Sequence, residues 1–553
     1  MKPYIYAIFL IAIVTSHCPS QWSTDPTQNV IVGYGLNPEI CSDSAGGCYI
    51  TYEQNLSYPR NLMVKRLNRY GYKTWSSPVR IYGQLPEQAF AKITEDGQGG
   101  VLISYSDEEF FDIGGLSRIR VQRVDSCGNL LWGSIGVRVS LSETNQDEQA
   151  IVSDGKGECI VAWVDTLGDL RMNRINDAGT RSWGDSGKYV WNSPATPLMV
   201  SDEQKGVIMI FGASRIQRFD SLGNGLWGPI GVQQDQLGIY SVASDGYGGL
   251  VIAGMKYLDY NNGDPYWKAT CQRVDSNGSV LWGSDGMILE DSLQNLVTNP
   301  PGITLATNFA GGATFAWQKK VRPNTLRSFS QRVRENGQFV FQDGPMPVSA
   351  IDSLGNGTWS ILTSLNDSKI YVLADGRPNK PLVAQRIDST GVRLWDTSDV
   401  VISSRSLGYL KTATDGKDGI IIVGFDQSDF SIRAQQCSRN GDIGEIMTEV
   451  DEHKGSYTPN KIKLYHNYPN PFNPSTVIEF DLPTKDLARL DVYNILGQKV
   501  RTIISDMLKA GHHSVNFNAT GLPSGSYFYR LSTGSPSGQA GKFTDMKRML
   551  MIK

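Results

Sequence analysis

The sequence of 553 residues predicts an all-β protein, with an eight-bladed β-propeller first and a small β-sandwich after it. Two phrases, each built around a turn signal, recur eight times along the chain at one period, which is typical of a repeat array. No segment in 21–446 has the apolar spacing of a long amphipathic helix. The final residues alternate apolar and polar side chains between Gly, Pro and Asn turns, as the strands of a sandwich do.

The first phrase runs from an arginine through a tight turn to a tryptophan, as in Arg123-Val-Asp-Ser-Cys-Gly-Asn-Leu-Leu-Trp132. Its glycine recurs from Gly71 to Gly441 in seven steps of about 53 residues, near the kelch period. We expect the Asp-x-x-Gly turn to join the third and fourth strands of each repeat. The repeated side chains are Arg66, Arg123, Arg174, Arg218, Arg273, Arg332 and Arg386, with Trp75, Trp132, Trp183, Trp227, Trp282 and Trp395.

The second phrase supplies the other turn of each repeat. Thr94-Glu-Asp-Gly-Gln-Gly-Gly100 precedes an apolar strand, and its Asp-Gly pair provides the positive φ of a tight hairpin turn. The strand that follows is almost entirely apolar, as expected of a strand covered on both faces. Two hairpins per repeat make four strands, and four strands repeated around an axis make a propeller.

The ends of the repeat array predict how the ring closes. The eighth repeat lacks its fourth strand after Gly441, and a matching piece lies at the other end, between Gln21 and Val32. We therefore expect the first strand of the mature chain to complete the last blade and cover a sheet edge. Seven blades are the alternative if the worn sixth or eighth copy is not a full sheet.

The repeated side chains are expected to pack the blades together. An indole buries a large apolar area, so each tryptophan is predicted to wedge two blades. Each arginine is expected to bond neighbouring carbonyls or the aspartate of its own turn; a ring of arginines holding an anion is the alternative. The tryptophan after the turn glycine partly resembles the docking repeat of eight-bladed quinoprotein propellers. Pyrroloquinoline quinone is disfavoured, because the adjacent cysteine pair of quinoprotein alcohol dehydrogenases is missing.

Residues 1–20 predict a secretory signal peptide. Lys2 precedes an apolar run from Tyr4 to Val14, and small or polar residues continue to Ser20. The run is shorter than the roughly 20 residues of a membrane-spanning helix. No later segment is long and apolar enough, so we expect a mature chain without a transmembrane segment.

The last 86 residues carry six motifs in a fixed order. They include Tyr468-Pro-Asn-Pro-Phe-Asn-Pro-Ser-Thr476, Leu490-Asp-Val-Tyr-Asn-Ile-Leu-Gly497 and Lys547-Arg-Met-Leu-Met-Ile-Lys553. This order closely resembles the type A C-terminal sorting domain of the type IX secretion system, related to FlgD-like immunoglobulin-type modules. The matching residues are Tyr468, Pro469, Asn470, Pro471, Phe472, Asn473, Pro474, Gly497, Gly511, Gly525 and Lys553.

The resemblance implies an immunoglobulin-like β-sandwich at 464–553, preceded by a polar linker at 447–463. It also implies passage across a Gram-negative outer membrane, with the type IX machinery as a partner. The product would then be released, or anchored on the extracellular face. An ordinary immunoglobulin-like ligand module is the alternative.

Several kinds of chemistry are disfavoured by composition. With 52 Lys and Arg against 55 Asp and Glu, the net charge of −3 gives no electrostatic case for binding nucleic acid. All five histidines lie outside 21–446, which removes His-based nucleophiles and His-ligated zinc from the propeller. We predict no catalytic residue, metal site or cofactor, although Ca²⁺ at the Asp-Gly turns stays open.

Cys41 and Cys48 flank the first of the Asp-Gly-type turns. A disulfide clamping that hairpin is predicted for an exported protein, with two buried thiols as the alternative.

The sequence therefore predicts a secreted or cell-surface propeller that acts in binding, adhesion or scaffolding. Tyr257, Tyr260 and Tyr266, in the long insertion 256–268, are candidates for stacking on a glycan. The alternative is an extracellular enzyme acting on polysaccharide or peptide through carboxylates at the propeller axis. A close carboxylate pair with raised pKa values would favour the enzyme. Neither the ligand, whether glycan or protein, nor a substrate is defined by the sequence.

Overall fold

The computed structural model contains only β-strands as regular secondary structure in its described residues. These are 22–56, 59–83, 85–108, 117–212, 214–234, 237–261, 264–290, 303–307, 311–322, 325–348, 359–365, 368–374, 380–395, 398–444, 462–464, 467, 472, 475–508, 511–534 and 543–551. The chain divides into two compact units, Met1–Met447 and Thr448–Lys553. The predicted signal peptide and residues 447–461 of the predicted linker lie outside the described residues.

The described part of the first unit forms eight four-stranded antiparallel sheets. The strands β1 (Val30–Tyr34), β2 (Leu36–Ser42), β3 (Cys48–Glu53), β4 (Leu62–Leu67) and β5 (Val79–Ile81) begin the chain. The second sheet is β6 (Glu87–Glu95), β7 (Val101–Glu108), β8 (Ser117–Val124) and β9 (Val137–Arg138). The third is β10 (Gln146–Ser153), β11 (Cys159–Asp165), β12 (Asp169–Ile175) and β13 (Lys188–Asn192). The fourth is β14 (Leu198–Ser201), β15 (Val207–Phe211), β16 (Arg215–Phe219) and β17 (Val232–Gln233).

The remaining sheets follow the same order. The fifth is β18 (Leu237–Ser244), β19 (Leu250–Asn261), β20 (Asp264–Val274) and β21 (Met287–Ile288). The sixth is β22 (Thr304–Thr307), β23 (Ala313–Arg322), β24 (Thr325–Val333) and β25 (Met346–Pro347). The seventh is β26 (Trp359–Leu365), β27 (Ser368–Ala374), β28 (Leu382–Ile387) and β29 (Val400–Ser403). The eighth contains β30 (Leu407–Thr414), β31 (Ile420–Asp426) and β32 (Ser431–Cys437).

Seven of these sheets are simple meanders, and the eighth is completed by a distant segment. In the first sheet the order is β2-β3-β4-β5, and the next six repeat this pattern. In the eighth sheet β1 pairs antiparallel with β32, where Val30 lies opposite Ala434 and Tyr34 opposite Ser431. The opening strand of the described chain therefore supplies the fourth strand of the final sheet.

The first strand of each sheet contacts the first strand of the next. These contacts run from β2 through β6, β10, β14, β18, β22, β26 and β30, and β30 in turn contacts β2. We call these eight strands the inner strands. An all-β chain of successive four-stranded sheets in this order is consistent with a propeller-like fold.

The second strand of a sheet is buried on both faces because a neighbouring sheet packs on each. All eight residues of β7 are buried. Val101 and Ile103 pack with Leu62 of the first sheet, whereas Leu102 packs with Trp163 of the third. This two-sided burial explains why the second strand reads as a continuous apolar run rather than an alternating one.

The described part of the second unit is a two-sheet sandwich. One sheet is β33 (Lys463–Leu464), β34 (Ser475–Leu482) and β37 (Gly511–Asn518), and the other is β36 (Lys499–Leu508), β35 (Asp486–Tyr493), β38 (Gly525–Thr533) and β39 (Phe543–Met551). Both contribute to a single buried core, for example Phe480 from the first sheet and Tyr529 from the second. Two facing sheets with a shared core form a β-sandwich.

The described residues of the sorting motif lie in the core of this sandwich, in a turn, and at the starts of two strands. Phe472 is buried, with its ring centroid 6.1 Å from that of Phe517. Gly497 has a φ of 74° in the turn between β35 and β36, and Gly511 and Gly525 begin strands. The other predicted motif residues lie outside the described part: Tyr468, Pro469, Asn470, Pro471, Asn473, Pro474 and Lys553.

Candidate functional site

The repeated arginines lie on the third strand of each sheet and pair with the aspartate that opens the first turn. Arg123 Nε donates to Asp96 Oδ2 at 2.8 Å, and both side chains are buried. The same pairing joins Arg66 to Asp43, Arg174 to Asp154, Arg218 to Asp202 and Arg273 to Asp245. Arg386 instead donates to Ser368 Oγ at 2.7 Å, and Arg332 lies opposite Thr314 in the sixth sheet.

The turn aspartates serve two partners at once. Asp96 Oδ1 accepts hydrogen bonds from the amides of Gln98 and Gly100, both at 2.7 Å, while Oδ2 receives the arginine. Arg66 and Arg218 also donate to carbonyls of the next repeated turn, those of Ser126 and Ser276. The aspartates and carbonyls therefore already engage these guanidinium groups, and this opposes the alternative of a ring that holds an anion.

Each repeated tryptophan lies against the turn glycine of the following repeat. Trp132 Nε1 donates to the Asp177 carbonyl at 3.0 Å, and a Cβ on Gly179 would lie 2.9 Å from the indole. The equivalent contacts are Trp75 with Gly128, Trp183 with Gly223, Trp227 with Gly278, Trp282 with Gly337, Phe341 with Gly391 and Trp395 with Gly441. An added methyl group would crowd the ring at each of these glycines, most closely at Gly179 and Gly278, where it would lie 2.9 Å away.

Trp22 makes the eighth contact of this kind, although it lies outside the repeated phrase that contains the other tryptophans. It is 1 % exposed, its Nε1 donates to the Arg69 carbonyl at 3.0 Å, and a Cβ on Gly71 would lie 2.7 Å from it. Gln435 donates to the Ser23 carbonyl at 2.7 Å, as Gln122 does to Gly133 at 2.8 Å. The sequence contained a signal for this contact: Trp22 lies in the segment from Gln21 to Val32, which resembles the fourth strand that the eighth repeat lacks.

The predicted disulfide between Cys41 and Cys48 is not formed, since both thiols are free. Cys41 lies opposite Tyr49 and Cys48 lies opposite Ser42, so the two cysteines are offset by one residue. Successive strand residues point to opposite faces, so Cys48 packs towards the eighth sheet and Cys41 towards the second. Burial raises the pKa of both thiols.

Four consecutive inner strands carry a β-bulge in which two residues lie opposite one, and the first of the two has a positive φ. These residues are Tyr409 in β30, Asn37 in β2, Phe90 in β6 and Glu148 in β10, with φ between 49° and 56°. A side chain in this left-handed region costs roughly 1–3 kcal/mol, and bulges commonly re-aim side chains next to functional sites. The exposed fractions are 62 % for Tyr409 and 38 % for Phe90.

A charged row lies two residues further along three of these strands. Glu39 Oε1 accepts hydrogen bonds from Lys92 Nζ at 2.9 Å and from Lys411 Nζ at 3.1 Å, and nearly half of each lysine side chain remains exposed. We call Tyr409, Phe90, Glu39, Lys92 and Lys411 the inner-strand patch. No repeated phrase encodes it, so the sequence analysis did not find it.

A buried carboxylate network lies at the same end of the inner strands. Glu87 and Glu108 face each other across β6 and β7, and the guanidinium of Arg60 bridges Glu87 to Glu53. Ser106 donates to Glu108 Oε1, whereas Glu108 Oε2 is buried without a hydrogen-bond partner among the described residues.

The network reaches the surface through two hydroxyl groups. Ser117 Oγ lies 3.1 Å from Ser106 Oγ and 3.2 Å from Oδ1 of the exposed Asp147. Burial raises the pKa of Glu108, and the carboxylates of Glu87 and Asp147 add to the rise.

A separate cavity of about 400 Å³ lies between the third and fourth sheets. Its walls include Trp191 and Phe211, and the Arg215 guanidinium lies 4.4 Å from the centroid of the Trp191 ring. Tyr189, on the exposed side of this cavity, lies on β13, outside the inner strands.

The three tyrosines proposed to stack on a glycan belong to the β19–β20 hairpin, where Tyr257 lies opposite Trp267 and Tyr266 opposite Leu258. Their side chains lie outside the described part of the structure.

Within the described ranges, no group of three His, Cys, Asp or Glu side chains is arranged to hold a metal ion. The same residues include no helix that could cross a membrane.

Residues 466–542 match the family model of the secretion system C-terminal sorting domain. The match confirms the predicted type IX sorting domain in this part of the chain. It indicates an exported protein, secreted or at the cell surface, that interacts with the secretion machinery.

Solved structures similar to the chain share little of its sequence. A lectin from Burkholderia pseudomallei is 13% identical, with 66% of this chain and 98% of that chain covered and a TM-score of 0.42. Saccharomyces cerevisiae Sqt1 is 11% identical, with 74% and 96% covered and a TM-score of 0.41. An ulvan lyase is 10% identical, with 74% and 97% covered and a TM-score of 0.39. At these scores none of them bears on function, and no curated protein matches the chain.

Proposed function

We propose that residues 21–446 form a closed eight-bladed β-propeller that acts outside the cell as a binding protein. A signal peptide at 1–20 would start its export, and an immunoglobulin-like sorting domain at 464–553, after a linker at 447–463, would complete passage through the outer membrane. The cyclic order of inner-strand contacts and the pairing of β1 with β32 support closure. Closure of this kind covers sheet edges that would otherwise pair with other chains.

Binding is favoured by the contrast between repeated and non-repeated residues. The repeated Arg, Asp and Trp side chains are engaged in packing between strands and sheets, as in propellers whose repeats encode stability. The observation that carries the proposal is the row of bulges on four adjacent inner strands, two of which hold the exposed aromatic residues Tyr409 and Phe90.

The full chain, purified after secretion, tests this function directly. We expect it to be retained on an immobilised array of glycans and proteins and to release no product from any of the polymers offered. Retention on no surface would contradict the binding function, and turnover of a polymer would favour the second candidate.

The second candidate is an extracellular enzyme, and the Glu108 network is the observation that favours it. A carboxyl with a raised pKa beside another carboxylate is suited to general acid catalysis. If this candidate holds, Glu108→Gln and Asp147→Asn each lower kcat on the turned-over polymer by about 100-fold or more. Asp125→Asn, in an exposed turn away from the network, serves as the matched control.

Export is tested separately in a host that has the type IX machinery. Removal of residues 464–553 should leave the propeller inside the outer membrane, and fusion of 448–553 to a reporter with a signal peptide should bring the reporter outside. Fractionation of periplasm, surface and medium distinguishes release from anchoring. A truncated chain that still reaches the surface would contradict the role of this domain.

A further inference from the structure

We propose that the inner-strand patch is a glycan-binding site, in which sugar rings stack on Tyr409 and Phe90 and sugar hydroxyls bond the charged row two residues further along the same strands. This inference rests on the proposed binding function and names its site and ligand class. The patch spans three neighbouring inner strands, β30, β2 and β6, so an extended chain of sugars fits it better than a single small molecule.

The backbone at the two aromatic residues is the first argument. A positive φ is uncommon for any residue with a side chain and a genuine outlier for a bulky one. Phe90 and Tyr409 both adopt it, at 52° and 49°, on strands where an ordinary pleat would turn the same residue towards a neighbouring sheet. Backbone strain of this kind is typical of positions that present a side chain to a ligand.

Both rings are exposed, yet neighbouring side chains support them. The Arg60 guanidinium lies 4.8 Å from the centroid of the Phe90 ring, and the Phe90 amide donates to Glu53 Oε1 at 2.8 Å. The Tyr409 ring centroid lies 6.2 Å from that of the buried Phe425. Rings held in this way form a preorganised surface, which reduces the ordering cost of binding.

The charged row beside the rings has the chemistry that sugar hydroxyls need. Lys92 and Lys411 supply ammonium donors, and Glu39 supplies carboxylate acceptors. Sugar hydroxyls are both donors and acceptors, and the C–H face of a sugar ring is apolar, so one sugar chain satisfies the row and the aromatic rings together. An apolar peptide would displace water from the exposed parts of the charged row and offer no hydrogen bonds in its place.

A nucleic acid fits the patch less well. Glu39 lies between the two lysines, and Asp147 and Glu148 are exposed on the adjacent inner strand. These carboxylates would repel a phosphate backbone, and the whole chain carries a net charge of −3. The charge pattern therefore favours a ligand that is rich in hydroxyl groups.

The test is affinity electrophoresis of the full chain in native gels that contain laminarin, xylan or alginate. We expect at least one polysaccharide to retard the wild-type protein. Retardation by alginate that fades with added salt would indicate recognition of sugar carboxylates by the lysines, and salt-insensitive retardation by laminarin or xylan would indicate recognition of hydroxyl groups.

The informative variants are Tyr409→Gly and Phe90→Gly, because glycine removes the ring and also relieves the positive φ. We expect each to weaken binding by about tenfold or more while the thermal midpoint stays the same or rises. A merely structural ring would lower the midpoint instead. Tyr247→Ala, at an exposed tyrosine in the turn between β18 and β19, is the matched control and should bind as the wild type does.

The outcomes separate this inference from the function on which it rests. If the wild type binds a polysaccharide and both glycine variants bind equally well, the site is wrong and the binding function stands. If the wild type binds only immobilised peptides or proteins, the glycan is wrong and the binding function again stands. If it binds nothing, both fail.

Discussion

The residues of the two repeated phrases make the same contacts in most sheets, whereas the inner strands of those sheets differ from one another. The arginine–aspartate pairs and the tryptophan–glycine contacts recur around the first unit with nearly the same atoms. The inner strands differ from sheet to sheet, and four adjacent ones carry strained bulges with unlike side chains, from Asn37 to Tyr409. Repetition in this chain therefore indicates packing, and departure from repetition indicates where a ligand could be recognised.

Some repeated contacts are made by a different residue in one sheet than in the others. In the seventh sheet Arg386 bonds a serine, and in the eighth Gln436 donates to Asp415 Oδ2 at 3.0 Å in place of an arginine. Phe341 replaces a tryptophan against Gly391. These exchanges keep the contact while changing the residue, as expected where shape and hydrogen bonding between strands and sheets matter.

The largest expected effect is from Trp22→Ala. The indole is 1 % exposed and seated against Gly71, so its loss should lower the free energy of unfolding by roughly 3–5 kcal/mol. Trp282→Ala, within the array, should cost about as much if the N-terminal segment is an equal member of it. Urea unfolding followed by circular dichroism measures both, and a Trp22→Ala cost under about 1 kcal/mol would contradict this equivalence.

The next effect is from Asp96→Ala, which leaves the buried guanidinium of Arg123 without its carboxylate. Removal of one partner of a buried ion pair costs about 3–5 kcal/mol. Asp125→Ala removes an aspartate that accepts two turn amides at the surface, so it should cost only about 1 kcal/mol. If Asp96→Ala and Asp125→Ala lower the free energy of unfolding equally in urea, Asp96 stabilises the protein only through its turn amides and not through Arg123.

A smaller effect separates ring contact from backbone strain at the glycines. Gly184→Ala has a φ of 85° and no atom near the new methyl group, so it should cost about 1–2 kcal/mol. Gly179→Ala adds a methyl group 2.9 Å from Trp132 and should cost about 1–3 kcal/mol more. The thermal midpoints of the two variants give this difference. Identical midpoints would show that contact with Trp132 adds nothing to the cost of the substitution at Gly179.

A substitution that relieves backbone strain on an inner strand should not lower stability. Glu148→Gly relieves a φ of 56° at an exposed position, so the free energy of unfolding should stay equal or rise by up to about 1 kcal/mol. Lys156→Gly, in an exposed turn, is a control in which no positive φ is relieved. A clear loss of stability in Glu148→Gly would show that this side chain supports the fold.

The smallest effect is a pH dependence from Glu108. Because its folded pKa is raised, the folded state holds this proton more tightly, and wild-type stability falls as pH rises from the usual value of about 4.3 through the raised one. Glu108→Gln removes that fall, so the variant should unfold at a higher temperature than the wild type at neutral pH and at a similar temperature in acid. Parallel profiles at all pH values would contradict the raised pKa.

Much of the architecture could be read from local pattern. Hairpin turns need glycine at positive φ, and strands covered on both faces need apolar runs, so the four-strand repeat is visible in one dimension. The match of 466–542 to a sorting domain agrees with motifs read in order along the tail. The sequence did not show that Asp96 bonds both its turn amides and Arg123. The arginine is 27 residues away, and only the folded sheet brings the two side chains together.

The sequence by itself determined the repeat, its turns and the export domain, because each depends on residues close together in the chain. Tertiary structure alone decided that Cys41 and Cys48 point to opposite faces, since a shift of one residue in register reverses the face. It also decided that Lys92 and Lys411 both donate to Glu39. The three residues come from separate strands of the chain, and only the packing of the inner strands against one another brings them together.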